Sequence, residues 1–299
     1  MKAREHETPT YSERAIAFET PIEEERARTA ETPMESERPL FGPEQMESLR
    51  IVTRAFYDYQ RERMALDGQL GMTKDGEAKK GRPDRDPTLL MLLLKRRDDI
   101  LGLEGEMEKE VAKTIHKHPL WKGWLHDVKG VGPMMAAVLV TQFDIHIATT
   151  VSKMWQFSGM NPGEVAGKVW KRIKGERVIV ATETRVRGDK KTKGFVCPYN
   201  AFLKTKLLGV LAGGFLRCGS PYTQVYYEYK YRLESMDWGT ASKNPTDPKR
   251  PKAGHQHKAA SRYMVKAFLR DLYVAWRTLE GLEVRAPYAE EYLSRKHSA

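Results

Sequence analysis

Apolar residues recur at three- and four-residue steps through two segments in the first half of the chain. The first runs from Pro43 to Leu66, with the recurring positions Met46, Leu49, Val52, Phe56 and Tyr59. The second follows a stretch rich in Gly, Pro and charge, 67–87, and its apolar face carries Leu90, Leu94, Leu101 and Val111. This spacing is typical of amphipathic helices. We therefore predict two helices that pair antiparallel, the second ending at His118-Pro119 because the residue before a proline rarely stays helical.

A third apolar segment begins with a glycine turn. Residues 127–140 read DVKGVGPMMAAVLV, so Gly130, Val131 and Gly132 precede Pro133 and a run of apolar helix formers. Gly-x-Gly backbone leaves amide groups exposed, and proline suits the first position of a helix. Amides at a helix N-terminus bind phosphate groups. The pattern predicts a phosphate clamp, and a tight turn that binds no ligand is the plainer alternative.

Aromatic and aliphatic residues on either side of this turn indicate core. Trp121 and Trp124 precede it in the segment LWKGWLHDV, and we predict that both pack inside the protein. Near the end of the chain, HKAASRYMVKAFLRDLYVAWRTL has the pattern of a long amphipathic helix. Its predicted core residues are Leu269, Leu272, Val274 and Trp276.

Positive charge is concentrated between residues 163 and 194. This segment holds ten Lys or Arg against four acidic residues, with Val169, Trp170 and Ile173 among them. Within it, RVIVATETRVR alternates as a short β-hairpin or ribbon does. Because β-ribbons serve as DNA-binding elements, we predict phosphate contacts here. A solvated charged loop is the alternative.

Composition adds a charge asymmetry to this picture. Of the 299 residues, 40% are hydrophobic and 30% charged, as in a soluble globular protein of one or two domains. Residues 1–45 carry 11 Glu and 6 Lys or Arg, a net charge of −5, which leaves +16 on the rest of the chain. The first stretch lacks apolar periodicity, and we predict a disordered acidic tail. A basic body is the electrostatic pattern expected for binding nucleic acid.

The sequence disfavours membrane and disulfide-rich classes. No apolar stretch approaches the length of a membrane span, and the N-terminal residues lack the apolar core of a signal peptide. Cys197 and Cys218 are the only cysteines, and they lack the short spacing of zinc ligands. We expect a cytoplasmic protein with reduced thiols, no membrane partner, no metal site and no evident cofactor.

Three short motifs carry a resemblance to a known family. They are Gly-x-Gly-Pro at residues 130–133, the acidic turn Phe143-Asp144, and Gly159-Met160-Asn161-Pro162. Together with KGFVCPYNAFLKTKLLGVLAGGFLRCGSPYTQVYYEYKYRL and the terminal helix, they resemble the C-terminal domain of the insertion-sequence-110 family of transposases. The resemblance covers about residues 97–282. It implies a mainly α-helical fold with a helix-hairpin-helix DNA-binding domain behind the antiparallel helical pair.

The same resemblance implies a function and partners. It implies a DNA-binding protein involved in transposition or recombination of a mobile element, with DNA and structured RNA as nucleic-acid partners. In helix-hairpin-helix modules the hairpin amides hold a backbone phosphate without reading bases. The expected DNA-binding residues are those of the turn and the basic ribbon: Lys129, Gly130, Val131, Gly132, Lys168, Lys171, Arg172 and Lys174.

Two departures from the family pattern bear on catalysis. The family's acidic, metal-binding N-terminal domain has no counterpart, because residues 1–45 are predicted as tail and 46–117 as helices. Ala166 stands where the family has a nucleophilic serine, and alanine cannot attack phosphorus. Ser158 is better explained by capping or packing. We assign no catalytic residue, and divalent metal would enter only with a catalytic partner domain.

Other functions stay open at this stage. One is a non-catalytic, transposase-derived accessory or regulatory protein that binds DNA or RNA. Another is a structural protein that forms a homo-oligomer through the helical pair.

We expect His255 and His257 to be exposed at a helix start rather than to bind metal. Core packing accounts for about half of a tyrosine-rich helix face, and base stacking or a tyrosine nucleophile are alternatives for the rest: Tyr222, Tyr226, Tyr227, Tyr229 and Tyr231.

The patterns divide the chain into four segments. The first two are a tail, 1–45, and a coiled-coil-like helical pair, 46–120, that contains the loop 67–87. The others are the transposase-like domain, 121–282, with a linker insertion at 235–254, and a second tail, 283–299.

Overall fold

Helices dominate the computed structural model, which describes residues 41–79, 86–235 and 253–286. The α-helices are α1 Pro43–Leu70, α2 Pro87–Ile115, α3 Pro119–Gly123, α4 Pro133–Gln142, α5 Val151–Phe157, α6 Ala201–Lys206, α7 Ala212–Cys218, α8 Tyr222–Ser235 and α9 Ala253–Leu279. A 3₁₀ turn, Leu125–Asp127, follows α3, and a π-helical segment, Leu207–Leu211, joins α6 to α7. Strands β1 (Glu164–Ile173) and β2 (Glu176–Arg187) form a two-stranded antiparallel sheet. The predicted mainly α class with a β-hairpin is confirmed at this level.

The described residues from Pro43 onward belong to one compact unit. The predicted tail at 1–45 lies outside the described residues except for its last five, and α1 already begins at Pro43. Most of the predicted linker, 235–254, and of the second tail, 283–299, also lies outside them. No helix within the described ranges is both long and apolar enough to cross a membrane.

The two long N-terminal helices pack antiparallel, as predicted. Arg63 of α1 lies against Glu104 of α2, whereas the later α1 residue Asp67 lies against the earlier α2 residue Arg97. α1 continues past the predicted loop start at residue 67 and ends at Leu70. α2 starts where predicted, because Asp86 accepts a hydrogen bond from the Thr88 amide at 2.9 Å and a proline occupies the first turn.

α4 is buried on every side. Each residue from 135 to 141 exposes 4% or less of its surface, so the helix has no polar face. A helix that is apolar all round must be surrounded by other elements. α1, α2 and α6 pack around α4, and the same hydrophobic core continues to α9. One hydrophobic core is therefore shared by the predicted helical pair, 46–120, and the predicted domain, 121–282.

α9 confirms the predicted closing helix and corrects one of its residues. Leu269, Leu272 and Trp276 are buried, whereas Val274 is 43% exposed. Val274 lies two residues after Leu272, which turns its side chain by about 200° around the helix axis and away from the core. The prediction that Val274 is a core residue was wrong.

A buried histidine caps the short helix α3. The Nδ1 atom of His118 accepts a hydrogen bond from the Leu120 amide at 3.1 Å. Burial lowers the pKa of His118 to about 4, so its imidazole is neutral at pH 7.

Trp121 is buried, and Trp124 stacks on Phe268 of α9 with ring centroids 5.8 Å apart. Trp121 is therefore a core residue, as predicted, whereas Trp124 is only partly buried and packs against the core.

A buried network of four charged side chains joins α1 to α2. The Arg63 guanidinium donates to Glu104 at 2.6 Å and to Asp67 at 2.8 Å, and Arg97 donates to Asp67 at 2.7 Å. Arg97 also donates to the carbonyl groups of residues 73–74 in the loop after α1. Two positive and two negative groups balance, so the cost of removing these charges from water is offset by pairing.

Arg97→Ala should lower the free energy of unfolding by about 3–5 kcal/mol, because it leaves the buried Asp67 carboxylate with one partner fewer. The adjacent Arg96 supplies a matched control, since it pairs with Glu62 at 3.1 Å on the surface. Arg96→Ala should cost less than about 1 kcal/mol. Urea unfolding followed by circular dichroism measures both variants, and equal stabilities would contradict a structural role for the network.

His118 should make the fold less stable in mild acid. Its pKa is about 4 in the folded protein against 6.5 for a free histidine, so the unfolded chain binds more protons between these pH values. This contribution to stability is fully present above about pH 6.5 and is lost as the pH falls towards 4. Asparagine caps helices without titrating, so His118→Asn should flatten this part of the pH dependence. Thermal unfolding of both proteins across this range tests the prediction, and parallel curves would contradict it.

Candidate nucleic-acid interface

The two strands form a basic ribbon, which we call the arm, residues 164–187. Pairing runs from Glu164 and Arg187 at the base to Ile173 and Glu176 at the tip. The two turn residues, 174–175, have φ angles of 50° and 88°. Positive φ at both positions is the feature of a type I′ turn, whose twist matches that of a two-stranded ribbon. The arm is therefore a regular hairpin closed by a Lys-Gly turn.

The hairpin is longer than the sequence pattern indicated. Residues 177–187, predicted as a short hairpin by themselves, belong to β2 alone. Their partner is β1, the basic stretch that was predicted only as a phosphate-contacting cluster. Lys and Arg occupy both faces of β1, which hides its period of two from a hydrophobicity pattern. The Lys-Gly turn was the remaining signal, and it is weaker than Asn-Gly.

Cross-strand pairing sorts the side chains of the arm onto two faces. The first, which we call the Trp170 face, carries Lys168, Trp170 and Arg172 of β1 opposite Ala181, Ile179 and Arg177 of β2. The second carries Val169, Lys171 and Ile173 opposite Val180, Val178 and Glu176. The predicted basic residues are thus divided: Lys168 and Arg172 share the Trp170 face, Lys171 lies on the other face, and Lys174 lies in the turn.

The distal half of the arm is exposed and strongly positive. Residues 168–177 contain five cations and one acid, Glu176, and all six side chains are exposed. Within the described part of the chain none of these five cations pairs with a carboxylate. Ion pairs in the arm lie at its base, where Arg185 meets Glu164 at 3.6 Å and Arg187 meets Asp189 at 2.9 Å. Within the arm, the cations that can bind an external anion are therefore concentrated towards the tip.

A buried carboxylate anchors the base of the arm to the helices. Asp189 accepts two hydrogen bonds from Arg187, at 2.9 and 3.1 Å, and one from Arg262 of α9 at 2.9 Å. Lys204 of α6 donates to the Asp189 carbonyl group. Burial by itself raises the pKa of Asp189, but the hydrogen bond from Arg187 and the three positive charges outweigh it and hold this pKa below its usual value. The carboxylate therefore stays charged and ties β2 to α9.

Close backbone approach fixes the base of β1. A Cβ atom at Gly167 would lie 2.7 Å from the ring of Phe195 and 2.8 Å from the Thr184 carbonyl oxygen. The strand register shifts between Ala166 and Lys168, so the ladder is irregular at this glycine. The Val196 amide then donates to the Lys168 carbonyl at 2.7 Å. The segment after the arm thus packs against β1 where only a glycine fits.

The glycine turn, residues 130–132, packs against α7. Gly130 has a φ of 100°, and a Cβ atom there would lie 2.8 Å from the Phe215 ring. A Cβ atom at Gly214 would in turn lie 3.1 Å from the Gly130 carbonyl oxygen. Gly132 differs, because its φ is −91° and no atom lies within 4 Å of its Cβ position. Gly130 is thus required by packing, whereas Gly132 is exposed.

Part of the predicted phosphate clamp is corrected by this geometry. The Val131 amide donates to the Val128 carbonyl at 3.0 Å, so it is not free to hold a phosphate while the turn is intact. The first i to i−4 bond of α4 runs from the Ala136 amide to the Gly132 carbonyl at 2.9 Å. The Met134 amide precedes that bond and, with the exposed Lys129, is the donor best placed at this helix N-terminus, whereas Met135 is buried. Sequence reasoning missed this amide, although a proline at the first helical position indicates that the next residue supplies it.

Two polar candidates have structural partners. The Ser158 hydroxyl is buried and donates to the Met154 carbonyl at 2.7 Å, which confirms its packing role. Asp144 accepts hydrogen bonds from the amides of residues 146–147 at 2.9 and 3.2 Å. Ala166 is exposed on β1 opposite Arg185. Among the described residues, no group of three or more His, Cys, Asp or Glu side chains is arranged to hold a metal ion.

The histidine and tyrosine candidates lie on α8 and α9. His255 and His257 are exposed near the start of α9, as predicted, and His257 is hydrogen-bonded to the Tyr226 hydroxyl at 2.7 Å. Tyr222 donates to Asp271 at 2.9 Å, and Tyr229 stacks on Tyr263 at 4.3 Å. The two tyrosines left exposed are Tyr227 and Tyr231. Packing therefore accounts for part of the tyrosine face and leaves two rings in solvent.

Sequence reasoning also missed the anchor of the arm. Asp189 and Arg262 are 73 residues apart, and Lys204 is 15 residues from Asp189, so no local pattern joins them. Comparison of the chain with protein-family models, with curated proteins and with solved structures gives no match.

The two glycines of the turn should respond differently to substitution. Gly130→Ala should lower the free energy of unfolding by on the order of 3 kcal/mol, because it combines positive φ with a clash against Phe215. Gly132→Ala should change stability by less than about 0.5 kcal/mol. Urea unfolding of the two variants measures this difference. A stable Gly130→Ala protein would mean that the turn does not close on α7.

Proposed function

We propose that this protein binds DNA through the phosphate backbone and that the arm makes the main contact. The observation that carries the proposal is the cross-strand pair of Arg172 and Arg177. Like charges directly opposite each other destabilise a two-stranded ribbon unless an anion lies between or beside them. Three further exposed cations lie in the same ten residues, against the single acid Glu176, so positive charge remains in large excess there. A polyanion supplies the missing negative charge.

The shape of the arm fits this partner. A two-stranded β-ribbon is narrow enough to enter the major groove of DNA, and strands are one of the elements by which proteins contact grooves. At the glycine turn, Lys129 and the Met134 amide of α4 offer a second, smaller phosphate contact. Backbone contacts of both kinds position a protein on DNA without reading its sequence. We therefore expect binding with little sequence preference from these residues.

The resemblance to insertion-sequence-110 transposases supports a role in transposition or recombination of a mobile element. A helix-hairpin-helix domain of that family would place the glycine turn against a phosphate, as proposed for Lys129 and α4. Ala166 favours a second candidate, a non-catalytic accessory or regulatory protein, because its methyl side chain cannot form a covalent link to DNA. Structured RNA carries the same phosphate backbone and is the second nucleic acid to test.

A salt titration of DNA binding tests the proposal. The triple variant Lys168→Gln, Arg172→Gln and Lys174→Gln removes three charges from the arm. Each phosphate contact contributes about 0.9 to the slope of log K against log salt, so this slope should fall in magnitude by roughly 2–3. Fluorescence anisotropy of a labelled duplex measures the slope for wild type and variant.

A variant of equal charge provides the control. Lys95, Lys109 and Lys117 are exposed lysines in or just after α2, and changing all three to Gln removes the same charge outside the arm. The control should keep most of the wild-type slope. Equal losses in the two variants would contradict a role for the arm and leave only general basic charge. Strand cleavage by the purified protein in Mg²⁺ would contradict the non-catalytic candidate.

A further inference from the structure

We propose that the Trp170 face of the arm stacks on an unpaired base, so that the preferred nucleic acid contains a single-stranded segment. This inference rests on the proposed function and adds the class of nucleic acid to it. It is carried by one exposed indole ring and by the cations placed around it. That ring packs neither in the hydrophobic core nor between helices.

Trp170 differs from the other tryptophans in the described residues. Its surface is 51% exposed, whereas Trp121 and Trp276 are buried and Trp124 and Trp155 pack partly against the core. The arm lies outside the core, so the exposed ring contributes little to holding the helices together. The exposed indole therefore offers a flat apolar surface that a stacking ligand can cover.

Arg177 holds the ring in one orientation. Its guanidinium carbon lies 4.9 Å from the centroid of the Trp170 ring, a cation–π contact across the two strands. The contact covers one side of the indole. A base that stacks on the opposite side would complete a layered arrangement of guanidinium, indole and base. Because the ring is already oriented, stacking requires less loss of side-chain freedom.

Two more cations flank the ring along β1. Lys168 and Arg172 lie two residues before and two residues after Trp170, on the same face. At about 3.3 Å per residue, each is roughly 7 Å from the tryptophan along the strand. A nucleic-acid strand whose base stacks on the ring therefore meets a positive charge on either side. Aromatic platforms bordered by cations are the usual design of single-strand binding surfaces.

Duplex DNA does not satisfy this arrangement. In a duplex the faces of the bases are covered by their neighbours, so only phosphates and groove edges are offered to the arm. Stacking on Trp170 would first require a base to leave the stack, which costs a few kcal/mol. An unpaired base meets the indole without that cost. The Trp170 face therefore favours single-stranded over double-stranded segments.

Self-association through the same face is disfavoured by charge. Ile179, the cross-strand partner of Trp170, is also exposed and could in principle contact a second arm. However, the face carries Lys168, Arg172 and Arg177 and no acidic residue, because Glu176 lies on the opposite face. Two such faces in contact would bring six positive charges together. A polyanion relieves this repulsion, whereas a second copy doubles it.

Competition between single-stranded and duplex DNA of the same length tests the inference. Trp170→Ala should weaken binding of a poly-dT strand by about tenfold and binding of the duplex by less than about twofold. Trp170→Phe keeps a smaller aromatic ring and should fall between wild type and Trp170→Ala on the single strand. Fluorescence anisotropy with labelled strands measures all three proteins. Equal loss on both DNAs, or no loss on either, would overturn the proposal.

Ile179→Ala is the matched control for the arm itself. It removes the neighbouring apolar side chain from the same face but leaves the indole, and it should retain the preference for single strands. If it loses that preference as fully as Trp170→Ala, the indole is not the stacking site. The triple variant at Lys168, Arg172 and Lys174 separates the two proposals, because normal binding of that variant to both DNAs contradicts the proposed function itself. Concentration-dependent dimers that disappear in Trp170→Ala would show that a second copy, not a base, covers the ring.

Discussion

The burial of α4 is the constraint on which the rest of the structure depends. A ten-residue helix with no polar face cannot lie on a surface, so other elements have to cover it on all sides. The paired helices α1 and α2 supply part of that cover, which explains why they join the main core instead of forming a separate coiled coil. The buried charges between them hold the pair in one register, and the N-terminal end of α4 remains the part that reaches solvent.

The arm stands in contrast, because it has almost no core of its own. A two-stranded ribbon is marginally stable in water, and repulsion among its cations weakens it further. Its stability therefore comes from the base, where Asp189 binds Arg187 and Arg262 and where Gly167 admits the ring of Phe195. Lys204 adds a third positive group, and burial lowers its own pKa. Within the arm itself, the arginines at the base are ion-paired, whereas the cations towards the tip are not.

Local periodicity was enough to predict the long helices but not the interface. α1, α2 and α9 bury one stripe each, and a stripe is visible in the order of residues alone. β1 was missed as a strand because Lys171 interrupts its apolar face and Trp170 stands on its basic face, so hydrophobicity does not alternate along it. The sequence also could not show that the Val131 amide is already hydrogen-bonded. Its bond to the Val128 carbonyl forms only in a turn in which Gly130 has a positive φ. Contacts across 73 residues, such as Asp189 with Arg262, exist only once the core has brought α9 beside the arm.

α9 relates the two candidate contact regions to each other. Arg262 holds the base of the arm, while Phe268 contacts Phe215 at 5.3 Å between ring centroids, and Phe215 closes on Gly130 of the turn. Six residues of helix separate Arg262 from Phe268, which is about 9 Å along the axis. Because a helix is stiff over this length, the spacing between the arm base and the turn is set by the fold and not by the ligand. A nucleic acid that touches both regions must therefore match a preset distance, which a disordered basic segment of the same charge would not impose.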